Sequence, residues 1–279
     1  METRGLEFNN EKKNIELIRC IIEEGFLETN KNLEEWISGN NELAEQYIGS
    51  TAVIALYIGN QLFTANVGDS RAVLATLRKE KKLKSSKSKK KSKEFTLITE
   101  RLSEDHKPGS RSEIKRIREV GGIVTPSSGS SSYRLTITNG PSLAVSRAFG
   151  DFHLRPGLIV NPTIHFHEID LYDQFIVMGS DGIWDVLPDE KATQIVLELV
   201  FNLINEHSMP IQKACGLAAD YLRDLAYALG SDDDLSVIVV PLNWNVLQSV
   251  NYFFDAPVHN LKEKKRKKNS APKLRVTHN

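Results

Sequence analysis

The apolar residues near the start of the chain recur at helical spacing. Within residues 11–37 they lie among Glu, Lys and Asn: Ile15, Leu17, Ile18, Ile21, Ile22, Phe26 and Leu33. Such a stripe is typical of an amphipathic helix that buries one face. The pattern therefore predicts a long helix over 11–37.

The pattern changes after residue 50 to short runs rich in β-branched and aromatic residues. TAVIALYI (51–58) and QLFTANV (61–67) flank Gly59-Asn60, a pair of turn residues. This arrangement is typical of a β-hairpin. A second turn, Gly68-Asp69-Ser70, leads into RAVLATL (71–77). We therefore expect an antiparallel meander over 51–77.

The rest of the chain mixes strands and helices. Four runs have strand character: FTLIT (95–99), LIVNPTIHFHEI (158–169), QFIVMGS (174–180) and DLSVIVVPL (234–242). Three runs have helical character: SEIKRIREVGG (112–122), residues 189–207 and residues 211–229. A flexible loop is predicted for TPSSGSSS (125–132). Antiparallel strands with helices grouped late predict an α+β fold, an antiparallel β-sandwich flanked by helices.

Two strongly basic stretches interrupt this pattern. Ten of the sixteen residues in RKEKKLKSSKSKKKSK (78–93) are Lys or Arg, and the tail contains KEKKRKK (262–268). We expect 78–93 to be a disordered insert and 244–279 to be a basic tail outside a domain of residues 1–243. A contact for nucleic-acid phosphates is an alternative interpretation of either stretch, but aromatic residues for base stacking are not interleaved. A solvated charge run is the favoured interpretation of the insert, whereas for the tail a nuclear targeting signal is equally well supported.

The rest of the composition limits the possible partners and cellular locations of the protein. Lys plus Arg and Asp plus Glu both number 36, so the net charge favours no charged partner. Two cysteines exclude a disulfide framework and a zinc cluster. The N-terminal residues are polar, and apolar runs stay shorter than the roughly 18 residues that a membrane span requires. We expect a cytoplasmic or nuclear protein, or one found in both, without membrane association.

Four turns at strand ends carry an aspartate beside Gly or Ser. They lie in ANVGDSRAVL (65–74), SLAVSRAFGD (142–151), FIVMGSDGIWDV (175–186) and GSDDDLSVIVV (230–240). Each turn alone fits an ordinary loop or helix cap. Several carboxylates without cysteine or paired histidine are the hard oxygen ligands that Mg²⁺ and Mn²⁺ prefer. A two-metal cluster of this type binds phosphoryl groups and lowers the pKa of bridging water.

Seven segments, in order, resemble the metal-dependent serine/threonine protein phosphatases of the PPM (type 2C) family. They are IGSTAVIAL (48–56), NVGDSRAVL (66–74), EDHKP (104–108), EIKRIREVGGIV (113–124), LAVSRAFGD (143–151), DQFIVMGSDGIWDVL (173–187) and SDDDLSVIVV (231–240). The resemblance covers roughly residues 15 to 242. It implies a β-sandwich with two or more Mg²⁺ or Mn²⁺ ions at one end. It also implies a monomer that hydrolyses phosphoserine and phosphothreonine in protein substrates.

The resemblance also assigns roles to individual residues. Asp181 and Asp233 match the ligands of the core metals, and Asp69 matches the ligand of a third, weaker metal. Asp185 is expected just outside these ligands or shared with the third metal. Asp234 stands where the family has asparagine, and it either helps to hold metal-bound water or is surface charge. Residues 108–142 would include a flap that influences substrate choice, with Ser146 and Arg147 as structural supports.

Two motifs that open the family's domain are missing from this sequence. An Arg-x-x-Met-Glu-Asp strand and an Asp-Gly-His-Gly-Gly turn normally supply the phosphate-binding arginine, the metal-bridging aspartate and a general acid. The sequence contains seven histidines, none of them in an Asp-Gly-His context. We therefore expect impaired activity, because the first metal-bridging motif is absent. An N-terminally incomplete phosphatase is favoured over a catalytically inactive member used for binding, and a nucleic-acid binder is a further alternative.

Overall fold

The computed structural model describes residues 2–40, 47–79, 95–127, 132–137 and 140–243, with side chains from residue 12 onward. Its helices are α1 (Glu2–Ser38), α2 (Arg111–Glu119), α3 (Asp181–Trp184), α4 (Asp189–His207) and α5 (Ile211–Ala228). Its strands are β1 (Gly49–Ser50), β2 (Ala52–Ile58), β3 (Gln61–Val67), β4 (Arg71–Lys79), β5 (Phe95–Arg101), β6 (Ile123–Pro126), β7 (Tyr133–Thr136), β8 (Ser142–Leu143), β9 (Phe149–Gly150), β10 (Thr163–Glu168), β11 (Asp173–Gly179) and β12 (Val237–Pro241).

Two antiparallel sheets form the centre of the fold. One has the strand order β10-β3-β2 and the other β12-β11-β4-β5. Leu62 of β3 shares a buried cluster with Leu74 of β4 and Ile176 of β11, which places this apolar layer between the two sheets. The predicted β-sandwich is thereby confirmed.

Helices cover the outer faces of both sheets. Ile22 and Phe26 of α1 pack with Phe63 and Val67 of β3. On the other side, α4 and α5 share a larger buried cluster with β4, β11 and β12. Because β11 has helices on one face and a sheet on the other, all seven of its residues are buried. The run FIVMG is accordingly apolar throughout instead of alternating.

The predicted meander over 51–77 is only half right. β2 and β3 form the predicted hairpin, with Ile58 paired to Gln61 around Gly59. β4, however, pairs with β11 and β5 in the other sheet. The turn after β3 thus carries the chain from one sheet to the other. Hydrophobic alternation predicts which residues form a strand but contains no information about its partner, and this explains the error.

Most other elements lie where the pattern predicts them. The helix predicted over 189–207 is α4, and that over 211–229 is α5. The first two residues of the predicted loop 125–132 belong to β6, and residues 128–131 lie outside the described residues. Arg78 and Lys79, the first two residues of the predicted insert 78–93, belong to β4, and the rest of the insert, like the tail 244–279, lies outside the described residues. No helix in the described ranges is long and apolar enough to cross a membrane.

Candidate active site

Strand register places three acidic turns side by side at one end of the four-stranded sheet. Arg71, the first residue of β4, pairs with Gly179, the last residue of β11, and Gly179 also pairs with Val237, the first residue of β12. Neighbouring strands lie roughly 4.8 Å apart. The turns that precede β4, follow β11 and precede β12 are therefore neighbours. These turns carry the three predicted metal ligands, Asp69, Asp181 and Asp233.

Close packing holds two of these turns together. A Cβ atom added to Gly182 would lie 2.8 Å from the Asp234 carbonyl oxygen and 3.2 Å from the Asp233 Cβ. The Ser231 hydroxyl donates a hydrogen bond of 2.7 Å to the Gly182 carbonyl. Only glycine leaves room for this approach, so Gly182 allows Asp181 and Asp233 to sit next to each other.

The short helix α3 fixes the direction of Asp181. The Asp185 amide donates to the Asp181 carbonyl at 2.8 Å, and the Gly182 amide donates to Asp181 Oδ1 at 3.0 Å. Trp184 is buried, and its Nε1 donates to the Gly179 carbonyl at 3.0 Å. The helix is thus anchored to the end of β11 by its own aromatic residue. The Asp181 side chain remains half-buried at the strand end.

The acids influence one another electrostatically. Burial raises the pKa of Asp181, and the charges of Asp69 and Asp233 raise it further. Lys107 lies among them and forms an ion pair with the carboxylate of Asp69, whose residue is only 4% exposed. Burial alone would lower the pKa of Lys107, but Asp69, Asp185 and Asp181 outweigh this effect and raise it. An excess of negative charge surrounds a single ammonium group here, and such an excess attracts cations.

The chemistry of these side chains fits Mg²⁺ or Mn²⁺, whereas their geometry does not form a complete cage. Carboxylate oxygens are the ligands that both ions prefer. Across the described ranges, no group of three or more His, Cys, Asp or Glu side chains is arranged to hold an ion. The Asp69 carboxylate contacts Lys107 instead. These residues alone therefore leave part of an ion's coordination to other donors.

The two other predicted site residues, Asp185 and Asp234, lie beside the three predicted metal ligands. Asp185 is exposed, and its charge acts on Lys107. Asp234 is also exposed; its amide donates to Asp233 Oδ1 at 2.7 Å and its carbonyl accepts from the Ser180 hydroxyl at 2.8 Å. Asp234 thus orients Asp233 through its backbone. A contact of either side chain with metal-bound water stays a prediction.

The two residues predicted as structural supports, Ser146 and Arg147, bind neighbouring segments of the domain. Arg147 Nη2 forms an ion pair of 2.7 Å with Glu113 of α2, and its Nη1 donates to the Asn161 carbonyl at 2.9 Å. Ser146 is buried, and its amide donates to the His106 carbonyl at 2.8 Å. These contacts agree with a supporting role.

Sequence reasoning assigned no role to Lys107 or His106. Both lie in EDHKP (104–108), between β5 and α2, where no apolar periodicity marks a buried residue. Yet His106 is fully buried, and Lys107 reaches an acid 38 residues away. The signal that could have indicated a role for Lys107 is its place in a charged turn after β5, a strand of the four-stranded sheet.

Comparison with known proteins identifies the family of the chain. The family model for protein phosphatase 2C matches residues 4–235. A rice relative, probable protein phosphatase 2C 52, is 37% identical over 192 residues, which are 69% of this chain and 31% of that protein. Protein phosphatase 2C 16 of Arabidopsis thaliana is 33% identical over 208 residues, covering 72% of this chain and 36% of that protein. The chain thus spans about a third of the length of these relatives.

A solved structure supports the same assignment at the level of the fold. The serine-threonine phosphatase 2C of Toxoplasma gondii superposes with a TM-score of 0.61 over 81% of this chain and 67% of that chain, at 20% identity. The family model, meanwhile, spans all three acidic turns and ends just before β12 begins. Sequence match, sandwich architecture and the row of acidic turns lead to one conclusion: the chain belongs to the protein phosphatase 2C family.

Proposed function

We propose that this chain contributes to the hydrolysis of phosphoserine and phosphothreonine in proteins, with Asp181, Asp233 and Asp69 as ligands of Mg²⁺ or Mn²⁺. The observation that carries the proposal is the register of β4, β11 and β12, which lines up the three acidic turns. Family membership supports the reaction class.

The overall reaction breaks the bond between phosphorus and the serine or threonine oxygen; a water oxygen takes its place on phosphorus, and a proton of that water goes to the released alcohol. Bound divalent ions would supply charge neutralisation and an activated water. The residues of this chain supply the negative potential that attracts such ions and a cation, Lys107, beside them. A phosphate group is an anion, so this ammonium group is suited to bind it once an ion occupies the carboxylates.

We further propose that residues 1–279 alone catalyse this reaction slowly. The sequence lacks an Asp-Gly-His-Gly-Gly segment, and the described residues contain no group of three acids or histidines arranged around an ion. The same observation favours a second candidate, a binding protein of this family without turnover. The loss of an acid catalyst and an electrostatic donor each typically costs about 10²–10⁴-fold in rate.

A phosphothreonine peptide distinguishes the two candidates. In Mn²⁺ we expect inorganic phosphate to be released at a rate about 10²-fold or more below that of an unimpaired phosphatase. In EDTA we expect no release. Phosphate is measured with purified protein over hours, with peptide binding followed in parallel. Hydrolysis that persists in EDTA would contradict metal dependence. Peptide and Mn²⁺ binding without any turnover would support the binding protein instead.

A Lys107→Met variant tests the role of the ammonium group. In EDTA we expect it to lose about 1–3 kcal/mol of stability, because the buried Asp69 carboxylate loses its ionic partner. Saturating Mn²⁺ should remove most of this difference, since the ion then compensates the carboxylate. Thermal melts of both proteins in EDTA and in Mn²⁺ give the result. Lys115→Met, an exposed position on α2, is the control, and an equal loss in both buffers would contradict a shared cation site.

A further inference from the structure

One buried histidine holds the turn that carries Asp69. His106 is 0% exposed and lies between β5 and α2. Its amide donates to the Gly68 carbonyl at 3.0 Å, and its Nδ1 accepts a hydrogen bond of 3.1 Å from the Gly68 amide. His106 therefore binds both polar groups of the Gly68 backbone.

The hydrogen bonds determine which imidazole nitrogen carries the proton. Because Nδ1 accepts from the Gly68 amide, it must be unprotonated, and the proton resides on Nε2. Nε2 lies 2.8 Å from the Thr163 hydroxyl and donates to it. Burial and the charge of Arg147 lower the pKa of His106 to about 4. The ring is thus neutral near pH 7 and is held in one tautomer.

Gly68 requires such support because it lies where the chain crosses between sheets. It follows β3 and precedes β4, beyond the ladders of both strands. Its φ is +90°, and a Cβ there would come within 2.3 Å of the Thr51 methyl group. A residue in this conformation, without strand partners, needs other groups to satisfy its backbone. His106 does so from the loop that also carries Lys107.

We propose that His106 is a positioning residue: through Nδ1 it fixes the Gly68 peptide and so sets the place of the Asp69 carboxylate. The loop of His106 is itself fixed, since the Ser146 amide donates to the His106 carbonyl at 2.8 Å. The Asn66 side chain adds a second contact, donating to the Glu104 carbonyl at 2.7 Å. One loop therefore places both members of the Asp69–Lys107 pair.

Two substitutions separate the functions of the ring nitrogens. In His106→Asn the amide oxygen replaces Nδ1 and can still accept from Gly68. In His106→Gln the terminal amide replaces Nε2 and retains the Thr163 contact, but no acceptor faces Gly68. Both variants replace the buried imidazole ring by a side-chain amide. The loss of packing therefore affects the two variants alike. Their melting temperatures provide the check that both are folded.

The readouts are amide exchange of Gly68 by NMR and Mn²⁺ affinity by calorimetry. We expect His106→Asn to leave both within about 3-fold of the unsubstituted protein, and His106→Gln to speed Gly68 exchange and weaken Mn²⁺ binding by about 10-fold each, as expected for the loss of one positioning hydrogen bond. Equal changes in both variants, or faster exchange without weaker Mn²⁺ binding, would overturn the proposal.

The Mn²⁺ readout rests on the proposed function, whereas the exchange readout does not. If the unsubstituted protein fails to bind Mn²⁺, the proposed function fails. In that case the exchange rates of Gly68 in the two variants still decide whether His106 fixes this turn. The two failures are thus distinguishable.

Discussion

Replacing Asp181 and Asp233 together by asparagine is expected to weaken Mn²⁺ binding by at least about 100-fold. Changes beside a metal ligand typically cost about 10–100-fold, and here two charged ligands are removed at once. Asparagine keeps the size of aspartate, so the close approach at Gly182 is preserved. Any loss of affinity therefore reports lost charge and not lost packing.

The same double variant has a second expected result without metal. The charges of Asp69 and Asp233 raise the pKa of Asp181, which means that the acids repel one another. Removing two of them should leave the melting temperature in EDTA equal or higher. Mn²⁺ should raise the melting temperature of the unsubstituted protein but not that of the variant.

Calorimetry with Mn²⁺ and melts in both buffers measure these effects. Asp232→Asn is the matched control, because Asp232 is exposed in the same turn as Asp233. We expect its affinity to stay within about 3-fold of the original. An unchanged affinity in the double variant would show that the ion, if bound, is held elsewhere.

Replacing Glu113 by alanine is expected to destabilise the protein by about 3–5 kcal/mol, the typical cost of breaking a buried ion pair. The Glu113 side chain is 3% exposed and forms ion pairs with Arg116 at 2.8 Å and with Arg147 at 2.7 Å. Without it, two partly buried guanidinium groups would face each other without an anion. Urea unfolding at pH 7 measures the loss, and Glu119→Ala, at the exposed end of α2, should change stability by less than about 0.5 kcal/mol.

The contribution of Glu113 should also depend on pH. Burial alone would raise its pKa, but hydrogen bonds from Arg147 and Arg116 outweigh burial and lower the pKa from 4.5 to about 2. A carboxyl group with a lowered pKa stabilises the fold fully above its unfolded value. The stabilisation then declines as pH falls from about 4.5 toward about 2. The difference in stability between the original protein and Glu113→Gln should therefore shrink over this range, and a constant difference would contradict the assignment.

The sequence predicts single elements of this fold better than their pairing. The boundaries of α4 and the β2–β3 hairpin follow from local periodicity and turn residues, which act within a few positions. The transfer of β4 to the second sheet depends on contacts with β11, about a hundred residues later. No local pattern contains that information.

The candidate site shows the same division. Asp69, Asp181 and Asp233 were recognisable as acids at strand ends, whereas their alignment depends on the register of three strands. The contact between Lys107 and Asp69 was not recognisable, because a charged turn offers no periodicity from which burial can be inferred. Likewise, the two hydrogen bonds between His106 and Gly68 join residues that only the sheet crossing brings together.

The alignment of acidic turns that are distant in sequence would link the proposed metal ions to folding. An unfolded chain separates Asp69, Asp181 and Asp233, so it retains no common binding place for an ion. A ligand that binds only the folded form shifts the folding equilibrium by mass action, by about 1.4 kcal/mol for each tenfold rise in free ion above its dissociation constant. The midpoint of thermal unfolding should consequently rise with the logarithm of Mn²⁺ concentration, so the supply of divalent ions would help to set the temperature at which this protein unfolds.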